Sequence, residues 1–425
     1  MSKDKFRSKI ISRNIRNKRE DSAYFMALLH QPFSDEAFLL EADLADRLWN
    51  GSRFPSDAFR KATGAVAADL IAAHVHGADG YGWRPFDEEG YLDLPVTISS
   101  VRAVRRSLEA NGYIEIKPES GAADGYATRM RATEIFLDLI RAHGIDPSAH
   151  RDHFHPVPRP KKPKLAVRLK RASGDRLKFD PTGPAVAPLF ECVNEINAFM
   201  AEQDFGGGLH WSFYRGFNLG DQPGFNWNKG GRLYSVGAGS YQQQKSAVRA
   251  AMTINGEPVV EIDIRASYLT ILRAKLGLAF DPTKDPYAGL VGIPRDVAKS
   301  WVIMTLGYDK LHQRWSDEAK RQFIKMGGTN LTKEYPLKKV RAKMLELFPF
   351  LEDWGKLPIG WADLQFWESE AVVNTVHELA TVHGIPALPV HDSLIVPVSA
   401  QEKATEVLKR RFKDVVGIEP HLTVK

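Results

Sequence analysis

Cysteine is almost absent from this chain of 425 residues, which has Cys192 and no other. One thiol cannot form a disulfide within the chain or build a thiolate metal site, which excludes a disulfide-stabilised secreted domain. Long apolar runs are absent as well, since no stretch of about 18 apolar residues occurs that could cross a bilayer. The basic start of the chain lacks the apolar segment of a signal peptide. We therefore expect a cytoplasmic protein with no membrane partner and with Cys192 packed in a core.

Motifs that identify three common enzyme classes are also missing. There is no Gly-x-Ser-x-Gly elbow, which a hydrolase with a serine nucleophile would carry. The glycine-rich segment 226–245 is too irregular for the phosphate-binding loop of a nucleotide hydrolase or for a dinucleotide fingerprint. What remains is a chain of globular composition, 43% hydrophobic and 26% charged, whose length predicts two or three domains.

Positive charge is concentrated in two segments, although the whole chain has a net charge of only +6. Residues 1–20 hold eight Lys or Arg against two acidic residues, and residues 159–178 hold nine against one. Prolines around the second segment exclude a long helix and predict a semi-rigid linker. Each segment is either a solvated run or a contact for nucleic acid. The predicted division is a basic tail at 1–20, a first domain at 21–150, a linker at 151–188 and a second domain at 189–425.

The first domain has the pattern of several helices and a hairpin. Apolar spacing and capping residues predict helices at 22–30, 35–49, 56–76, 97–111 and 133–144, and alternation predicts strands at 113–117 and 126–131. Arg102, Arg105 and Arg106 lie opposite the apolar stripe of the fourth helix. This pattern resembles a winged helix-turn-helix domain, in which such a helix enters the major groove of DNA. A protein-binding or architectural domain with solvated arginines is the alternative.

Two carboxylates interrupt an apolar strand in the segment GEPVVEIDIRASYLTILRAKLG. Glu261 and Asp263 are two residues apart, so both point to the same face of the strand. A buried carboxylate is costly unless its charge is neutralised. Ligation of Mg²⁺ would neutralise it, and so would an ion pair with an arginine. The strand taken alone leaves both interpretations open.

Two later segments add further charged candidates. In GIPALPVHDSLIVPVS, apolar residues flank His391-Asp392-Ser393 and predict a tight turn between two strands. The histidine and aspartate are either a catalytic pair or a metal carboxylate beside a structural histidine. In IPRDVAKSWVIMTLGYDK, Arg295 and Lys299 lie on one face of a predicted helix. Two aligned cations are suited to a triphosphate, and a solvated basic face is the alternative.

The order of these segments resembles that of one enzyme family. Gly-Arg-Leu-x-Ser comes first, then the strand aspartate, then Arg-x-x-x-Lys with a downstream tyrosine, and last the His-Asp turn. This order is similar to that in family A DNA polymerases and bacteriophage-type single-subunit RNA polymerases, and it covers roughly residues 210–425. The resemblance implies an α+β right-hand fold, with an antiparallel palm sheet and helical fingers, following an N-terminal winged helix-turn-helix domain.

The resemblance also implies roles for the residues at matching positions. Asp263 and Asp392 match the pair that binds two catalytic Mg²⁺ ions, for which Mn²⁺ can substitute. Arg295 and Lys299 match the finger-helix residues that neutralise the triphosphate of the incoming nucleotide. Arg232 matches an arginine that touches the duplex near the primer end.

Further residues are implied at the primer and at the sugar. His391 would lie beside the growing strand as a positioning residue. Tyr268 follows Asp263 by five positions, where family A enzymes carry Glu and family B enzymes carry a Tyr that blocks the ribose 2′-hydroxyl. Tyr268 would therefore favour dNTPs, and the alternative is an ordinary core aromatic.

The chain departs from the family pattern at two positions. The family's finger-helix tyrosine lies eight residues after the lysine, but Gly307 stands there and Tyr308 follows it. A nucleotide-binding role for Tyr308 is thus open. Ser393 stands where family A DNA polymerases usually carry Glu, as in the RNA polymerase branch.

The combined prediction is a template-directed DNA polymerase without a proofreading exonuclease, of the kind encoded by plasmids, phages or mobile elements. Its expected partners are a primed DNA template, dNTPs and a duplex site for the first domain. Two alternatives remain: a primase or single-subunit RNA polymerase of the same fold, and a DNA-binding initiator or regulator that has lost catalysis.

Overall fold

The computed structural model describes residues 23–425 except 52, 85, 87, 118–127, 158–162, 207–211 and 237–239. The predicted basic tail and the tip of the predicted hairpin lie outside the described residues. The chain divides into two compact units, Met1–Pro160 and Lys161–Lys425. Each unit combines helices with a mostly antiparallel sheet, which agrees with the predicted α+β class. No helix in the described part is long and apolar enough to span a bilayer.

Helices and strands alternate along the first unit. The helices are α1 (Asp35–Leu48), α2 (Asp57–His76), α3 (Glu88–Tyr91), α4 (Ile98–Ala110), α5 (Glu134–Ala142) and α6 (His150–His153), and the strands are β1 (Tyr24–Phe25), β2 (His30–Pro32), β3 (Tyr81–Trp83), β4 (Ile114–Lys117), β5 (Arg129–Ala132) and β6 (Phe154–Pro156). Four strands pair in the order β1-β3-β5-β4, and β2 pairs with β6.

Capping residues fix where the main helices of the first unit begin. The side chains of Ser34, Ser56 and Thr97 each accept a hydrogen bond from a backbone N–H in the first turn of the helix that follows. The helices predicted at 35–49, 56–76 and 97–111 are therefore confirmed within a residue or two. The predicted strands also pair, with Ile114 of β4 opposite Ala132 of β5.

The helix predicted at 22–30 is wrong for the residues that are described. Residues 23–32 form β1, an extended stretch and β2 instead. Leu28 adopts a left-handed backbone conformation with φ 55°, and its N–H donates to the buried Asp69 carboxylate at 2.6 Å. The apolar residues of this segment reach the core from an extended chain. Over so short a segment, apolar spacing does not distinguish a helix from an extended chain.

Much of the segment predicted as a linker is folded, and the boundary between the units falls inside it. Its first residues form α6 and β6 of the first unit, and β7 (Val167–Lys170) and β8 (Arg176–Leu177) belong to a sheet of the second. The described residues between 154 and 186 contain no helix. The prolines exclude a helix as expected. The extended chain pairs with other strands, however, and does not act as a spacer between the units.

The described residues of the second unit form two sheets and a set of helices. Its other elements are α7 (Ala187–Met200), β9 (Phe213–Phe217), β10 (Gly230–Ser235), α8 (Ser246–Ala250), β11 (Thr253–Ile254), β12 (Glu257–Ile264), α9 (Ser267–Lys275), α10 (Arg295–Leu306), α11 (Asp317–Lys325), α12 (Leu331–Glu334), α13 (Leu337–Leu347), α14 (Trp361–Thr381), β13 (Leu388–Val390), β14 (Ser393–Pro397), α15 (Gln401–Val416) and β15 (Leu422–Val424).

Strand β12 is the centre of the antiparallel sheet that positions the candidate site. It pairs with β14 and with β15, while β13 pairs with the outer side of β14. The other sheet has the order β10-β9-β7-β8. Helix α14 packs against β10, α15 and α7, and it is buried along most of its length. Cys192 is partly buried against this core, as expected, and burial raises the pKa of its thiol to about 11.

Candidate active site

Asp263 lies on strand β12, and Asp392 lies in the turn that leads into the neighbouring strand β14. Asp263 is near the end of β12, directly opposite Ser393 of β14. Asp392 precedes Ser393 in the turn between β13 and β14, and its carbonyl accepts a hydrogen bond from the N–H of Ile264 at 3.1 Å. The sheet thus brings together two aspartates that are far apart in the sequence.

Local sequence explains where both carboxylates are placed. Ile262 and Ile264 are buried on one face of β12, so Asp263 between them points to the other face. The strand pair β13 and β14 is joined by His391 and Asp392 alone, and His391 has the left-handed φ of 56° that such a short turn requires. The tight turn predicted at 391–393 is confirmed.

The charge of Asp392 is not balanced by its surroundings. Burial, followed by the nearby carboxylates of Glu368 and Asp263, raises the pKa of Asp392 to about 7, although Arg232 acts in the opposite direction. Burial and two neighbouring carboxylates therefore outweigh the effect of Arg232 on the pKa of this carboxyl. Asp263 is one of these carboxylates, which agrees with the proximity of the two aspartates across the sheet.

Glu368 of α14 is a site residue that the sequence patterns do not predict. Its side chain is 1% exposed, and it bonds to Arg232 and to Ser267. The sequence does contain one indication of a buried role for Glu368, because many residues around this glutamate in the predicted helix are apolar. That signal is weak, because Glu370, two residues on, has the same character and pairs with Arg215 outside this cluster.

Arg232 of β10 connects the site. Its guanidinium forms an ion pair with Glu368, with Nε 3.1 Å from Oε1. Nη2 donates to the hydroxyl of Tyr268 at 3.2 Å, and Nη1 lies 3.4 Å from Nδ1 of His391. Burial opposes the charge of Arg232, but Glu368 more than compensates and raises its pKa. The arginine is therefore held as a permanent cation beside Asp392.

Tyr268 and His391 are both neutral at physiological pH. Burial and the Glu368 carboxylate raise the pKa of Tyr268 far above that of a free phenol. His391 keeps an exposed edge, but partial burial of its ring, followed by the cations Arg232 and Arg249, lowers its pKa to about 4. A neutral His391 can accept a hydrogen bond from Arg232, which fits the predicted positioning role better than that of a charged phosphate ligand.

The two carboxylates of β12 have different partners. Glu261 forms a bidentate ion pair with Arg249, at 3.0 and 3.2 Å, and accepts a bond from the Ser393 hydroxyl at 2.9 Å. For Glu261 the ion-pair interpretation is therefore correct. Asp263 instead accepts a bond from Nζ of Lys425 at 2.7 Å, and the Lys425 side chain is 58% exposed.

Arg295 and Lys299 are exposed on one face of α10, as their spacing predicts. Arg295 pairs with Asp285 at 3.1 Å, and its guanidinium lies 5.4 Å from the centroid of the Tyr287 ring. Lys299 forms no ion pair with any described residue. Among the described contacts, none joins either cation to Asp263 or Asp392, so the structure does not bring them into the cluster around Arg232.

Helix α10 also resolves the spacing of Tyr308. The helix runs without a bulge from Arg295 to Leu306 and is capped at Gly307, so Tyr308 lies beyond its end. The carbonyl of Tyr308 accepts a bond from the Trp354 indole at 2.5 Å, and its ring lies 4.6 Å from that of His312. These contacts hold Tyr308 in the connection after the helix, so Tyr308 is not part of the helical face that carries Lys299.

The three arginines of α4 in the first unit have different surroundings. Arg102 and Arg106 are exposed, and Nη2 of Arg102 donates to the carbonyl of Phe86 at 3.0 Å. Arg105 is partly buried, with its guanidinium 5.0 Å from the centroid of the Phe86 ring. Arg105 therefore has a packing role that Arg106 lacks.

The donor chemistry around Asp263 fits a hard divalent cation. In the described part of the chain, no three His, Cys, Asp or Glu side chains converge at metal-binding distances. Mg²⁺ in proteins is commonly held by only one or two carboxylates together with waters and substrate phosphates. Asp263 and Asp392 supply those two carboxylates, and the ammonium of Lys425 on Asp263 marks a position that attracts positive charge.

Similarity to known proteins is found among solved structures. No family model matches the chain, and no curated protein matches it. Among solved structures it is similar to the POL domain of Pol1 from M. smegmatis, in complex with a DNA primer-template and dNTP, with 13% sequence identity over 98% of this chain and 69% of that chain. The TM-score is 0.30, which is too low to establish a shared fold or to transfer residue roles.

Proposed function

We propose that the second unit is a template-directed DNA polymerase of the family A type. The observation that carries the proposal is the clustering of Arg232, Asp263, Tyr268, His391 and Asp392. These residues are predicted from the order of motifs along the chain. That order alone does not require the residues to lie close together in the fold. Their clustering, with Arg232 of β10 bonded to both Tyr268 and His391, is an independent support.

Asp263 and Asp392 would hold Mg²⁺, with Mn²⁺ as a possible substitute. When bound, the metal supplies positive charge that activates a primer 3′-hydroxyl and stabilises a pyrophosphate leaving group. The protein contributes rigidity, since β12 is hydrogen-bonded to β14 on one side and to β15 on the other. A rigid sheet keeps both carboxylates in place before the substrate arrives.

Other residues of the cluster would orient the substrates. Arg232, fixed by Glu368, and the neutral His391 would contact the primer strand near its end. Tyr268, partly buried beside them, would exclude the 2′-hydroxyl of a ribonucleotide. Arg295 and Lys299 would bind the triphosphate, and their exposure leaves both side chains accessible to a nucleotide.

We further propose that the first unit is a winged helix that binds duplex DNA. The order α2, β3, α3, α4, β4, β5 and the sheet order β3-β5-β4 support this, because a winged helix places its recognition helix immediately before the hairpin. Helix α4 would be the recognition helix, with the exposed Arg102 and Arg106 available to phosphates or guanine edges.

The test is extension of a labelled primer on a DNA template by the full-length protein with Mg²⁺. With dNTPs we expect addition that follows the template sequence, and with NTPs much less. Equal or better use of NTPs would favour a primase or single-subunit RNA polymerase. DNA binding without any nucleotide addition, with Mg²⁺ or Mn²⁺, would contradict the polymerase and favour an initiator or regulator.

A further inference from the structure

Glu368 bonds to two residues that each restrain Tyr268: Arg232, which bonds to the tyrosine hydroxyl, and Ser267, its neighbour in the chain. On one side its Oε1 accepts from Nε of Arg232 at 3.1 Å, and Nη2 of the same guanidinium donates to the Tyr268 hydroxyl at 3.2 Å. On the other side its Oε2 accepts from the Ser267 hydroxyl at 2.7 Å. Ser267 is the chain neighbour of Tyr268 and the first residue of α9.

These bonds restrain both ends of the tyrosine. The Ser267 contact fixes the start of α9, where Ala266 has a left-handed φ of 48°, and therefore the Cα position of Tyr268. The Arg232 contact fixes the hydroxyl at the far end of the ring. Glu368 is 1% exposed, so water cannot easily replace it in either bond.

We propose that Glu368 is the positioning residue that holds Tyr268 as the barrier to ribonucleotides, and so sets the sugar specificity of the enzyme. The inference rests on the proposed polymerase function and adds a determinant that lies on another helix, far from Tyr268 in the sequence. Glu368 itself need not touch the nucleotide. It acts through Arg232 and Ser267.

The chain provides a matched control on the same helix. Glu370 lies two residues after Glu368 and forms the same kind of ion pair, with Arg215 of β9, whose side chain is 4% exposed. No contact among the described residues joins Glu370 or Arg215 to Tyr268. Glu370→Gln therefore removes the carboxylate partner of an arginine, as Glu368→Gln does. It leaves the bonds that restrain Tyr268 intact.

The experiment measures kcat/KM for one dNTP and the corresponding NTP in single-nucleotide primer extension by the full-length protein. Glu368→Gln should lower the ratio of dNTP to NTP efficiency by about tenfold, the factor expected from one lost charge-assisted hydrogen bond. The change should come mainly from better use of the NTP. Glu370→Gln should keep the ratio within about twofold of wild type, a difference of less than 1 kcal/mol. Thermal unfolding of each variant shows how much stability was lost.

A double-mutant cycle tests the route through Tyr268. If Glu368 acts by holding that ring, Glu368→Gln should not change the ratio further once Tyr268→Ala is present. Ser267→Ala removes one restraint without uncovering a charge, so it decides the question if Glu368→Gln does not fold. It should lower the ratio by about threefold, a smaller loss because the bond is between a neutral hydroxyl and one carboxylate oxygen.

Three results would overturn the inference while leaving the polymerase proposal intact. They are a wild-type ratio in both Glu368→Gln and Ser267→Ala, an equal loss of selectivity in Glu370→Gln, and additive effects of Glu368→Gln and Tyr268→Ala. Failure of the wild-type protein to add any nucleotide would instead overturn the polymerase proposal itself.

Discussion

At the scale of single residues, Tyr268 carries the prediction of substrate choice. Its ring is partly buried and its hydroxyl is bonded to Arg232, so it presents a fixed bulky group rather than a mobile one. Tyr268→Ala should lower the ratio of dNTP to NTP efficiency by on the order of 10²-fold or more, because a removed barrier no longer rejects the 2′-hydroxyl. The measurement is kcat/KM for both nucleotides in primer extension.

The control for Tyr268 is another tyrosine of the second unit. Tyr214 of β9 stacks against Tyr234 at 5.5 Å between ring centroids, and no described contact joins it to Asp263 or Asp392. Tyr214→Ala should leave nucleotide selectivity unchanged. Equal selectivity in wild type and Tyr268→Ala would make Tyr268 an ordinary packing aromatic, the alternative that the sequence left open.

Lys425 is a second residue with a measurable effect. Its ammonium bonds to Asp263 at 2.7 Å, and this bond raises the pKa of Lys425. A divalent cation must compete with it for the same carboxylate. An exposed ion pair contributes at most about 1 kcal/mol, so Lys425→Gln should lower the Mg²⁺ concentration for half-maximal extension by roughly two- to fivefold.

A lysine of similar exposure tests whether that effect is specific. Lys413 is 58% exposed and pairs with Glu419 at 3.1 Å, so Lys413→Gln removes an equivalent charge elsewhere on the unit. It should leave the Mg²⁺ dependence unaltered. The same shift in both variants would show a general charge effect and would contradict competition at Asp263.

At the scale of elements, sequence patterns predicted what depends on local chemistry. Ser34, Ser56 and Thr97 cap helices where expected, and alternation in β12 places Asp263 opposite the buried face. Glu368 could not be predicted, because its role depends on Arg232, which meets it only after folding. The strand pairing of residues 167–177 could not be predicted either, because nearby prolines exclude a helix but do not indicate which strand the segment pairs with.

Helix α10 is predicted to bind the triphosphate of the incoming nucleotide through Lys299. Lys299 is exposed and free of ion pairs among the described residues, whereas Arg295 is already paired with Asp285. Loss of one charge-assisted phosphate contact costs about 1.5–3 kcal/mol, so Lys299→Ala should raise the KM for dNTPs by roughly 10- to 100-fold.

Lys320 of α11 provides the comparison for Lys299. It is an exposed helical lysine, 42% exposed, paired with Asp317 at 3.1 Å. Lys320→Ala should leave the KM for dNTPs at its wild-type value. If Lys299→Ala also leaves it there, α10 does not bind the triphosphate and its cations form a solvated face.

At the scale of the whole molecule, each unit has its own hydrophobic core, and each is assigned a separate DNA contact. Arg102 and Arg106 are the exposed arginines of α4, whereas Arg105 packs on Phe86. The double variant Arg102→Ala, Arg106→Ala in the full chain should therefore weaken duplex binding without the loss of packing that a triple variant would cause. The slope of log affinity against log salt should become less steep by roughly 2, close to one unit per lost phosphate contact.

Arg141 of α5 is the control for the duplex-binding measurement. It is 49% exposed and pairs with Asp138 at 2.8 Å, so Arg141→Ala removes an exposed arginine of the same unit from another helix. Its salt slope should match that of wild type. An unchanged slope in the double variant would place the duplex contact outside α4.

We propose above all that Asp263 and Asp392 together form the metal site of a nucleotidyl transferase. The most direct test is primer extension by Asp263→Asn and Asp392→Asn, with DNA affinity measured on the same samples and with Asp414→Asn, an exposed aspartate of α15, as the control. We expect each site variant to lose extension by on the order of 10³-fold or more, while its DNA affinity and the activity of the control stay near wild type. Extension close to wild type in either site variant would contradict this proposal.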